Sequence, residues 1–479
     1  MEFRNAVFID NRWLDAEDGA VIEVTNPATG AALGTAPRGG RAETAKAIDA
    51  ASRAFPAWRA LTADQRADHL LNIYTALMDN RDRLGEILTA EMGKPLAEAK
   101  GEIAFGAKFF RWFAEEGRRV YGDVIPSPWP NKRVVVTKEP VGVVGAITPW
   151  NFPNSMIARK MAAALAAGCT FVVKPASQTP FSALAFGDIA LEVGLPAGVV
   201  NIVTGSAADI AAELCENPAV RKITFTGSTP VGKKLAAAAG ANMKRISMEL
   251  GGNAPFIVFD DADLDAAVEG AMISKFRNSG QTCVCANRLY VQSGVYDAFA
   301  EKLAAAVRTL TVGDGAEAGV TQGPLIDDAA IAKVEEHVDD ALANGGRVVV
   351  GGKRHERGGT FFEPTVIADA TTSMKIAREE TFGPTAPLFR FETEDDVIRM
   401  ANDTEYGLAC YAYTRDLGRA WRLTERLEYG MVGINEGLVS TEVAPFGGVK
   451  DSGFGNEGSK YGLEDYLSVK YALFGGLTA

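Results

Sequence analysis

Cysteine and histidine are the scarcest reactive residues of this chain, which has five cysteines and three histidines among its 479 residues. Because a few cysteines of odd number make no disulfide framework, we expect a reducing compartment, the cytoplasm. His69, His337 and His355 lie among charged residues, and neither H-x-x-x-H nor paired CxxC motifs occur. We therefore expect three solvated surface histidines and no metal site.

Long hydrophobic runs and an excess of basic residues are also missing. The longest apolar run, residues 161–173, is too short to cross a bilayer, and residues 1–10 lack the apolar stretch of a secretory signal. The chain has 49 Lys and Arg against 61 Asp and Glu, a net charge of -12. Nucleic acids and anionic membranes bind clustered cations, so the sequence predicts neither kind of partner.

Strand and helix patterns alternate through most of the chain, which is too long for one hydrophobic core. After a mainly helical stretch that ends near residue 120, buried strands are predicted at 141–147, 170–173, 199–203 and 222–225. The helical patterns between them indicate a parallel, doubly wound sheet, which binds ligands at the carboxyl ends of its strands. A second α/β series follows Glu249. The predicted fold class is therefore α/β.

Two segments differ from these series. Residues 121–139 contain three prolines followed by alternating charged and apolar residues, which is typical of an exposed ribbon that leaves the main body. Residues 462–471 alternate like a strand and are predicted to form an edge.

Two of the five cysteines, Cys283 and Cys285, stand one residue apart after the polar stretch 278–282. A thiol that follows a loop meets backbone N–H groups, which stabilise a thiolate and later an oxyanion. The alternative is a buried cysteine that acts as a small apolar residue. Spacing alone favours neither interpretation.

Other polar residues follow predicted strands. Asn151, between aromatic residues and prolines, is a neutral donor suited to an oxyanion, or else a turn residue. Glu249, before two glycines, has the setting of a general base with a raised pKa, or else of a solvated carboxylate. Lys174 and Ser177 come after the strand 170–173, where they reach a ribose or act as a solvated lysine and a helix cap.

The dinucleotide motif G-x-G-x-x-G is absent after the early strands, and residues 227–233 match a P-loop only in part. Lys234 stands where that motif requires Ser or Thr for magnesium, so a kinase interpretation fails. What remains is Gly227 and Ser228 before a helix with Pro230 in its first turn. Such a helix N-terminus binds a pyrophosphate, although an ordinary strand-to-helix turn is the alternative.

Seven blocks of the sequence stand in one order along the chain. They are Thr148-Pro-Trp-Asn-Phe-Pro153, Lys174-Pro-Ala-Ser177, Phe225-Thr-Gly-Ser228, Met248-Glu-Leu-Gly-Gly252, Gly280-Gln-Thr-Cys283, Glu380-Thr-Phe-Gly-Pro384 and Pro445-Phe-Gly-Gly448. Together they resemble the aldehyde dehydrogenase superfamily over essentially the whole chain. Residues 280–288, 437–440 and 457–462 look most like its succinate-semialdehyde dehydrogenase branch.

The resemblance implies a Rossmann-like cofactor domain, an α/β catalytic domain and a small β oligomerisation ribbon. Their implied boundaries are 1–120 with 140–249 for the first, 250–444 for the second, and 121–139 with 445–479 for the ribbon. Because the strand edges of the ribbon require a partner, we expect a homodimer or a homotetramer.

The resemblance also implies roles for the site residues. Cys283 attacks an aldehyde carbon, the Asn151 amide and the Cys283 N–H hold the oxyanion, and Glu249 activates the hydrolytic water. The residues implied to contact the cofactor are Thr148, Pro149, Trp150, Lys174, Ser177, Gly227, Ser228, Leu250, Glu380 and Phe382. Retention of Glu249 disfavours a coenzyme A acylating enzyme. The full set of site residues disfavours a catalytically dead scaffold, and a thiol hydrolase without nicotinamide is the remaining rival.

The resemblance implies a substrate with a distal carboxylate, because Arg159, Arg277 and Ser440 match the residues that bind one in the semialdehyde branch. Guanidinium groups fit carboxylates bidentately, although each arginine could instead pair with a structural acid. We therefore expect oxidation of succinate semialdehyde, with glutarate semialdehyde or a broader range of aldehydes as the alternative. The uncharged Ser177, where NAD-preferring relatives often carry Glu, favours NADP, with NAD possible. Cys285 is either a redox partner of Cys283 or a passive thiol.

Overall fold

The computed structural model describes residues 3–477, and this part of the chain contains twenty strands and fifteen α-helices. The strands are β1 Val7–Ile9, β2 Arg12–Leu14, β3 Val21–Thr25, β4 Ala32–Pro37, β5 Asp123–Ile125, β6 Arg133–Pro140, β7 Val143–Ile147, β8 Thr170–Lys174, β9 Val200–Ile202, β10 Val220–Thr226, β11 Arg245–Glu249, β12 Ala254–Val258, β13 Ala286–Gln292, β14 Arg347–Val350, β15 Thr365–Ala368, β16 Thr385–Phe391, β17 Ala409–Tyr413, β18 Met431–Ile434, β19 Gly453–Phe454 and β20 Leu467–Phe474.

The helices surround two large sheets and include four consecutive helices near the N-terminus. They are α1 Arg41–Ala60, α2 Ala63–Asp79, α3 Arg81–Met92, α4 Leu96–Glu116, α5 Ser155–Ala167, α6 Pro180–Glu192, α7 Ala207–Glu216, α8 Thr229–Ala241, α9 Leu264–Phe276, α10 Tyr296–Val307, α11 Asp328–Ala343, α12 Lys375–Arg378, α13 Glu394–Asn402, α14 Leu417–Arg426 and α15 Tyr461–Glu464. No helix within residues 3–477 is long and apolar enough to cross a membrane.

The first sheet has eight strands in the order β19-β11-β10-β7-β8-β9-β1-β2. Its five central strands, from β11 to β9, are parallel, and their order reverses direction at β7. This is the doubly wound arrangement that the alternation predicts. Because ligands bind such sheets at the carboxyl ends of strands near the reversal, the ends of β7, β8, β10 and β11 define a binding edge.

The second sheet has seven strands in the order β14-β15-β16-β13-β12-β17-β18, all parallel to their neighbours except β14. The chain passes from the carboxyl end of β11 to the amino end of β12 through residues 250–253 alone. This short connection brings the carboxyl edge of the first sheet next to the amino edge of the second. The predicted α/β fold with two sheets is confirmed.

Helix α4 shows how an apolar face fixes the helices around the first sheet. Ile103, Phe110 and Phe113 recur at helical spacing and are fully buried against α2 and α5. Burying each of these side chains stabilises the fold by roughly 1.5–3 kcal/mol. Since the N-terminal part of α4 lies beside the segment that follows β7, this packing also positions the binding edge.

The segments predicted as a ribbon are only partly joined in one sheet. Strands β20, β6 and β5 form a three-stranded antiparallel sheet, but β19 pairs with β11 and extends the first sheet instead. Residues 461–464 form helix α15, not the beginning of a strand as predicted. The reason is that Leu463, Tyr466 and Leu467 have helical spacing and bury their side chains in the core of the first sheet.

Candidate active site

Cys283 lies at the amino end of β13, after a turn with unusual backbone geometry. Residues 277–280 form a 3₁₀ turn in which Asn278 has a φ of 53°, in the left-handed region. Gly280 has a φ of 73°, and a Cβ at this position would lie 2.2 Å from the Gly383 carbonyl oxygen. Only glycine fits this close approach, which sets the path of the chain into Cys283.

Cys283 and Cys285 have different surroundings. The Cys285 N–H donates to the Thr282 carbonyl oxygen at 3.0 Å, which closes a turn with Cys283 in its centre. Cys283 is partly exposed, whereas Cys285 is buried and its Sγ donates to the Lys275 carbonyl oxygen at 3.4 Å. The two thiols therefore lie in a turn, and neither the extended nor the helical arrangement considered for them applies.

Two cavities meet at Cys283, which lines both of them. The first has a volume of about 300 Å³ and is lined by Glu98, Gly101, Glu102, Phe105, Phe152, Ser155, Met156, Arg159, Arg277, Thr282, Cys283, Val284, Leu438, Ser440 and Phe446. The second has a volume of about 240 Å³ and is lined by Pro149, Trp150, Asn151, Thr226, Gly227, Ser228, Leu250, Gly251, Cys283, Lys333, Glu380 and Phe382. A small molecule in each cavity therefore meets the other at the sulfur.

The Asn151 amide lies beside the turn that carries Cys283. Its Nδ2 donates to the Gln281 carbonyl oxygen at 3.0 Å. Because a side-chain amide has two N–H donors, the second remains for an oxygen next to the sulfur. The oxyanion donor and the nucleophile are thus joined by a direct hydrogen bond.

The Cys283 sulfur is a thiol in the unliganded site. Burial, and after it the nearby Glu380 carboxylate, raise the pKa of Cys283 to about 12, while the Arg159 guanidinium acts in the opposite direction. Since the thiolate is the nucleophile, the site needs a base that removes this proton.

Glu249 is placed to be that base. Its side chain is at the carboxyl end of β11, is only 2% exposed, and has no hydrogen-bond partner for either oxygen among the described residues. Burial, followed by the Glu457 carboxylate, raises the pKa of Glu249 well above its ordinary value. A carboxylate with a raised pKa suits proton transfer near neutral pH.

The second cavity contains most of the residues implied to contact a cofactor, and it begins at a helix N-terminus. Ser228 is the N-cap of α8 and makes no side-chain capping bond. The Gly227 N–H donates to the Glu249 carbonyl oxygen at 3.0 Å, and a Cβ on Gly227 would lie 2.5 Å from the Phe225 ring. The bare backbone and the helix dipole fit a phosphate group.

Thr148, Lys174 and Ser177 do not line this cavity, although the sequence predicts them as cofactor contacts. The Thr148 N–H donates to the Lys174 carbonyl oxygen at 3.1 Å. The Lys174 ammonium has no hydrogen-bond partner among residues 3–477, and burial lowers its pKa to about 8. A buried cation without a partner fits a hydroxyl or an anionic group of a ligand.

Glu380 and Phe382 close the other side of the second cavity. Glu380 accepts a hydrogen bond from the Gly252 N–H at 3.2 Å, and burial raises its pKa to about 7. Phe382 has a φ of 54°, and its ring lies edge-on to Trp150 with 5.5 Å between centroids. An acceptor beside two aromatic rings fits a ribose that carries a flat heterocycle.

His337 is buried, so the prediction of three solvated histidines is wrong for this residue. Its Nδ1 lies 3.1 Å from Thr381 Oγ1, next to Glu380. The charged neighbours in sequence were misleading, because His337 falls on the apolar face of α11 with Val334 and Val338 at three-and-four spacing.

The two predicted carboxylate-binding arginines differ in their partners. Arg277 lines the first cavity, forms no ion pair with a described residue, and lies 5.4 Å from the Phe152 ring centroid. Arg159 lines the same cavity but pairs with buried Glu457 at 3.3 Å, so a structural acid does hold this arginine. Ser440 is half-buried at the cavity wall and makes no side-chain hydrogen bond with residues 3–477.

These features match one family of proteins. The model of the aldehyde dehydrogenase family matches residues 13–472. This chain belongs to the aldehyde dehydrogenase family. It is 62% identical over 473 residues to the succinate-semialdehyde dehydrogenase (NADP(+)) GabD of Escherichia coli and 61% identical over 475 residues to a glutarate-semialdehyde dehydrogenase of Pseudomonas aeruginosa. In both comparisons the match covers 99% of this chain and 98% of the relative.

A solved structure agrees with these relatives. The crystal structure of succinate-semialdehyde dehydrogenase from Burkholderia pseudomallei is 59% identical, has a TM-score of 0.98, and matches over 99% of this chain and 98% of its own. The resemblance drawn from the seven sequence blocks is therefore confirmed.

Sequence reasoning missed several residues that shape the aldehyde dehydrogenase site. Glu98 and Phe105 of α4, together with Phe446, line the first cavity, and Lys333 of α11 donates to the Glu380 carbonyl oxygen. Helical spacing shows that such residues face inward, but it does not show which cavity they reach. Only Phe446 lies in one of the seven blocks.

The base Glu249 generates a prediction about pH. Because only the ionised carboxylate accepts a proton, hydrolysis of an acyl group on Cys283 should be slow at low pH and accelerate as pH rises through the pKa of Glu249. Glu457→Gln removes a negative neighbour that raises this pKa, so the rising limb should move to lower pH. Single-turnover acyl-enzyme hydrolysis as a function of pH measures it.

Glu457→Asp keeps the charge and is the matched control, with a limb close to that of the unmodified enzyme. A limb that stays in place in Glu457→Gln, or moves to higher pH, would contradict the electrostatic account of Glu249.

Proposed function

We propose that this aldehyde dehydrogenase oxidises a short aldehyde with a distal carboxylate, succinate semialdehyde first, with NADP⁺ or NAD⁺. One observation carries the proposal: Cys283 lies where a cavity with the unpaired Arg277 guanidinium meets a cleft that begins at the N-terminus of α8. The names of the relatives at 62% and 61% identity support it. A thiol hydrolase without nicotinamide would have no use for the second cleft.

The first chemical step is addition of the Cys283 sulfur to the aldehyde carbon. Glu249 accepts the thiol proton, and the oxyanion accepts hydrogen bonds from Asn151 Nδ2 and the Cys283 N–H. The nicotinamide, when bound, accepts the hydride from the substrate carbon, which leaves an acyl thioester on Cys283. After releasing its proton, Glu249 takes another from water, whose oxygen attacks the thioester, and the acid departs as Cys283 becomes free.

The residues around the second cleft would hold the dinucleotide. Gly227 and Ser228 at the N-terminus of α8 present N–H groups to the pyrophosphate. Glu380 accepts from a ribose hydroxyl, and Phe382 with Trp150 flanks the nicotinamide. Thr148, Pro149 and Leu250 complete the walls.

The far end of the first cavity would hold the substrate carboxylate. Arg277 is the principal anchor in this proposal, because its guanidinium is unpaired, whereas Arg159 already shares Glu457. The half-buried hydroxyl of Ser440 adds a donor. Glutarate semialdehyde, the alternative substrate, is longer by one methylene, a difference worth only about 1–3 kcal/mol in a pocket.

Arg277→Leu tests the substrate class. Loss of hydrogen bonds to a charged group costs about 1.5–3 kcal/mol, so KM for succinate semialdehyde should rise about 10- to 100-fold while KM for butanal, a neutral aldehyde of equal length, stays within about twofold. Arg277→Lys keeps the charge without the planar fork and should fall between. Steady-state kinetics with butanal, both semialdehydes and both cofactors measures this.

An equal rise of KM for butanal would show that Arg277 shapes the cavity without recognising a carboxylate. The ratio of kcat/KM values for the two semialdehydes on the unmodified enzyme decides between succinate and glutarate semialdehyde.

The preference for NADP rests on Ser177 and Lys174, which follow β8 at the binding edge. Neither carries a negative charge, and the Lys174 ammonium is without a protein partner among residues 3–477. A 2'-phosphate is therefore met by a hydroxyl and a cation and is not repelled.

Ser177→Glu should reverse this preference. A carboxylate a few ångströms from a 2'-phosphate costs more than about 1.4 kcal/mol, so kcat/KM with NADP⁺ should fall at least about tenfold while the value with NAD⁺ changes much less. Ser177→Gln adds similar bulk without charge and should leave the ratio nearly unchanged. Equal loss with both cofactors in Ser177→Glu would sink the idea.

We also propose that Cys285 regulates Cys283 by oxidation. With peroxide as oxidant, the two thiols would form a disulfide and two molecules of water, and the nucleophile would be lost. Cys285 lies in the same turn but is buried with its Sγ on the Lys275 carbonyl oxygen, so the turn must open first. This proposal keeps a passive thiol as its rival.

Peroxide inactivation followed by dithiothreitol tests the role of Cys285. The unmodified enzyme should regain its activity, whereas Cys285→Ser should be inactivated irreversibly, because Cys283 is then oxidised without a partner. Equal recovery in both proteins would show that no such disulfide protects Cys283.

The three-stranded sheet supports a proposed homodimer or homotetramer. Its edge strands β5 and β20 expose apolar side chains, with Val124 75%, Val469 70% and Tyr471 58% exposed. Apolar strand edges of this kind pair with another chain. All five cysteines are free in the structure, which supports the proposed cytoplasmic location.

A further inference from the structure

Lys94 is a buried cation close to the oxyanion donor, and the reaction described above does not use it. Its side chain is 0% exposed, and it immediately precedes Pro95 at the start of α4. The ammonium donates to Glu102 Oε2 at 2.6 Å and to the Asn151 carbonyl oxygen at 2.8 Å, and lies 3.8 Å from the Phe152 ring centroid. Lys94 lines neither cavity.

Glu102 extends this contact to the beginning of α5. Its second oxygen, Oε1, accepts from the Asn154 N–H at 2.9 Å and from the Ser155 N–H at 3.1 Å. Asn154, the N-cap of α5, makes no capping bond with its own side chain, so Glu102 satisfies donors that would otherwise be unpaired. The ion pair therefore holds the segment after β7 at Asn151 and again at the helix start.

The same carbonyl group is shared with the turn that carries the nucleophile. Asn278 Nδ2 donates to the Asn151 carbonyl oxygen at 3.0 Å and to the Gln281 carbonyl oxygen at 3.1 Å. Asn151 Nδ2 donates to that second carbonyl oxygen at 3.0 Å. Asn151 is thus fixed through its backbone and its side chain at once, and Lys94 supplies the charged contact of this network.

We propose that Lys94, held by Glu102, is a positioning residue that fixes the Asn151 peptide and thereby aims its amide at the oxyanion beside Cys283. The proposal rests on the proposed function, since it assigns a role within that reaction. An oxyanion donor is effective only when it is held in place before charge develops. A buried ion pair is a poor source of stability by comparison, so orientation is the effect that this one supplies.

A double-mutant cycle between Lys94 and Asn151 tests the proposal. Lys94→Met keeps the aliphatic stem and should lower kcat about 10- to 100-fold, within the range for loss of an oxyanion donor, while KM for the aldehyde changes less than about threefold. In an Asn151→Ala background the same substitution should lower kcat less than about threefold, because the donor it positions is already gone.

A second variant keeps the test decisive if Lys94→Met is poorly folded. Lys94→Met leaves the Glu102 carboxylate buried without its partner, which destabilises the protein, whereas Lys94→Met with Glu102→Gln is neutral and should show the same loss of kcat. Lys244→Met is the matched control. Lys244 is also a buried lysine that donates to backbone carbonyls, at 2.6 Å and 2.8 Å, but at the opposite end of β10. It should retain near-normal kcat.

Alkylation of Cys283 by iodoacetamide separates orientation from general damage, because it needs the thiol but no oxyanion donor. Its rate should stay within about threefold in every folded variant. Losses that multiply across the cycle, normal kcat in the neutral pair variant, or an alkylation rate that falls as far as kcat would each overturn the proposal.

Cleavage of 4-nitrophenyl acetate, which uses Cys283 and an oxyanion donor without a dinucleotide, keeps the inference separate from the proposed function. If the unmodified enzyme fails to oxidise semialdehydes, the proposed function fails, and the same cycle is measured on ester cleavage. Coupling between Lys94 and Asn151 there supports the inference, and additivity there overturns it.

Discussion

The short connection between β11 and β12 is the constraint on which the site depends. Residues 250–253 take the chain from the carboxyl edge of one sheet to the amino edge of the other. A Cβ on Gly252 would lie 2.4 Å from the Cys283 carbonyl oxygen, so the connection passes directly against the nucleophile turn. Because of this contact, a base at the end of β11 and a sulfur before β13 share one small space, although 34 residues of chain length separate them in the numbering.

The buried charges around this space are unusually dense for a protein interior. Lys160 and Arg159 share the Glu457 carboxylate, and Glu249 lies beside them with a raised pKa. Three of these four charges compensate one another only in part, since two cations face one paired acid. Buried pairs of this kind contribute little net stability. Their effect is to set the charge of Glu249, which must be neutral in one step and ionised in the next.

The sequence predicted the parallel sheets, the strand ends and the seven blocks because these features depend on local patterns. Periodicity, turn residues and capping act within a few residues, as in the box at the start of α2, where Thr62 and Gln65 exchange side-chain bonds as expected. The errors came from residues whose partners are distant. His337 looked solvated because its sequence neighbours are charged, and residues 461–464 were assigned to a strand because their helix is stabilised by the core.

The two carboxylate-binding candidates illustrate the same limit more sharply. Arg159 and Arg277 are equivalent in the sequence pattern, but only the fold brings Glu457, 298 residues away, to Arg159. Likewise Lys94 has no motif that marks it as an active-site residue, and only the packing of α4 against the segment after β7 brings its ammonium to Asn151.

The sequence by itself determined the family, the fold class and the identities of the nucleophile, the base and the oxyanion donor, since these are carried by short blocks of residues. The tertiary structure alone decided which of these groups meet, which arginine is free, and which thiol is exposed. The physical reason is that pKa values and hydrogen-bond partners depend on burial and on neighbours across tens to hundreds of residues, and a linear pattern does not encode such distances.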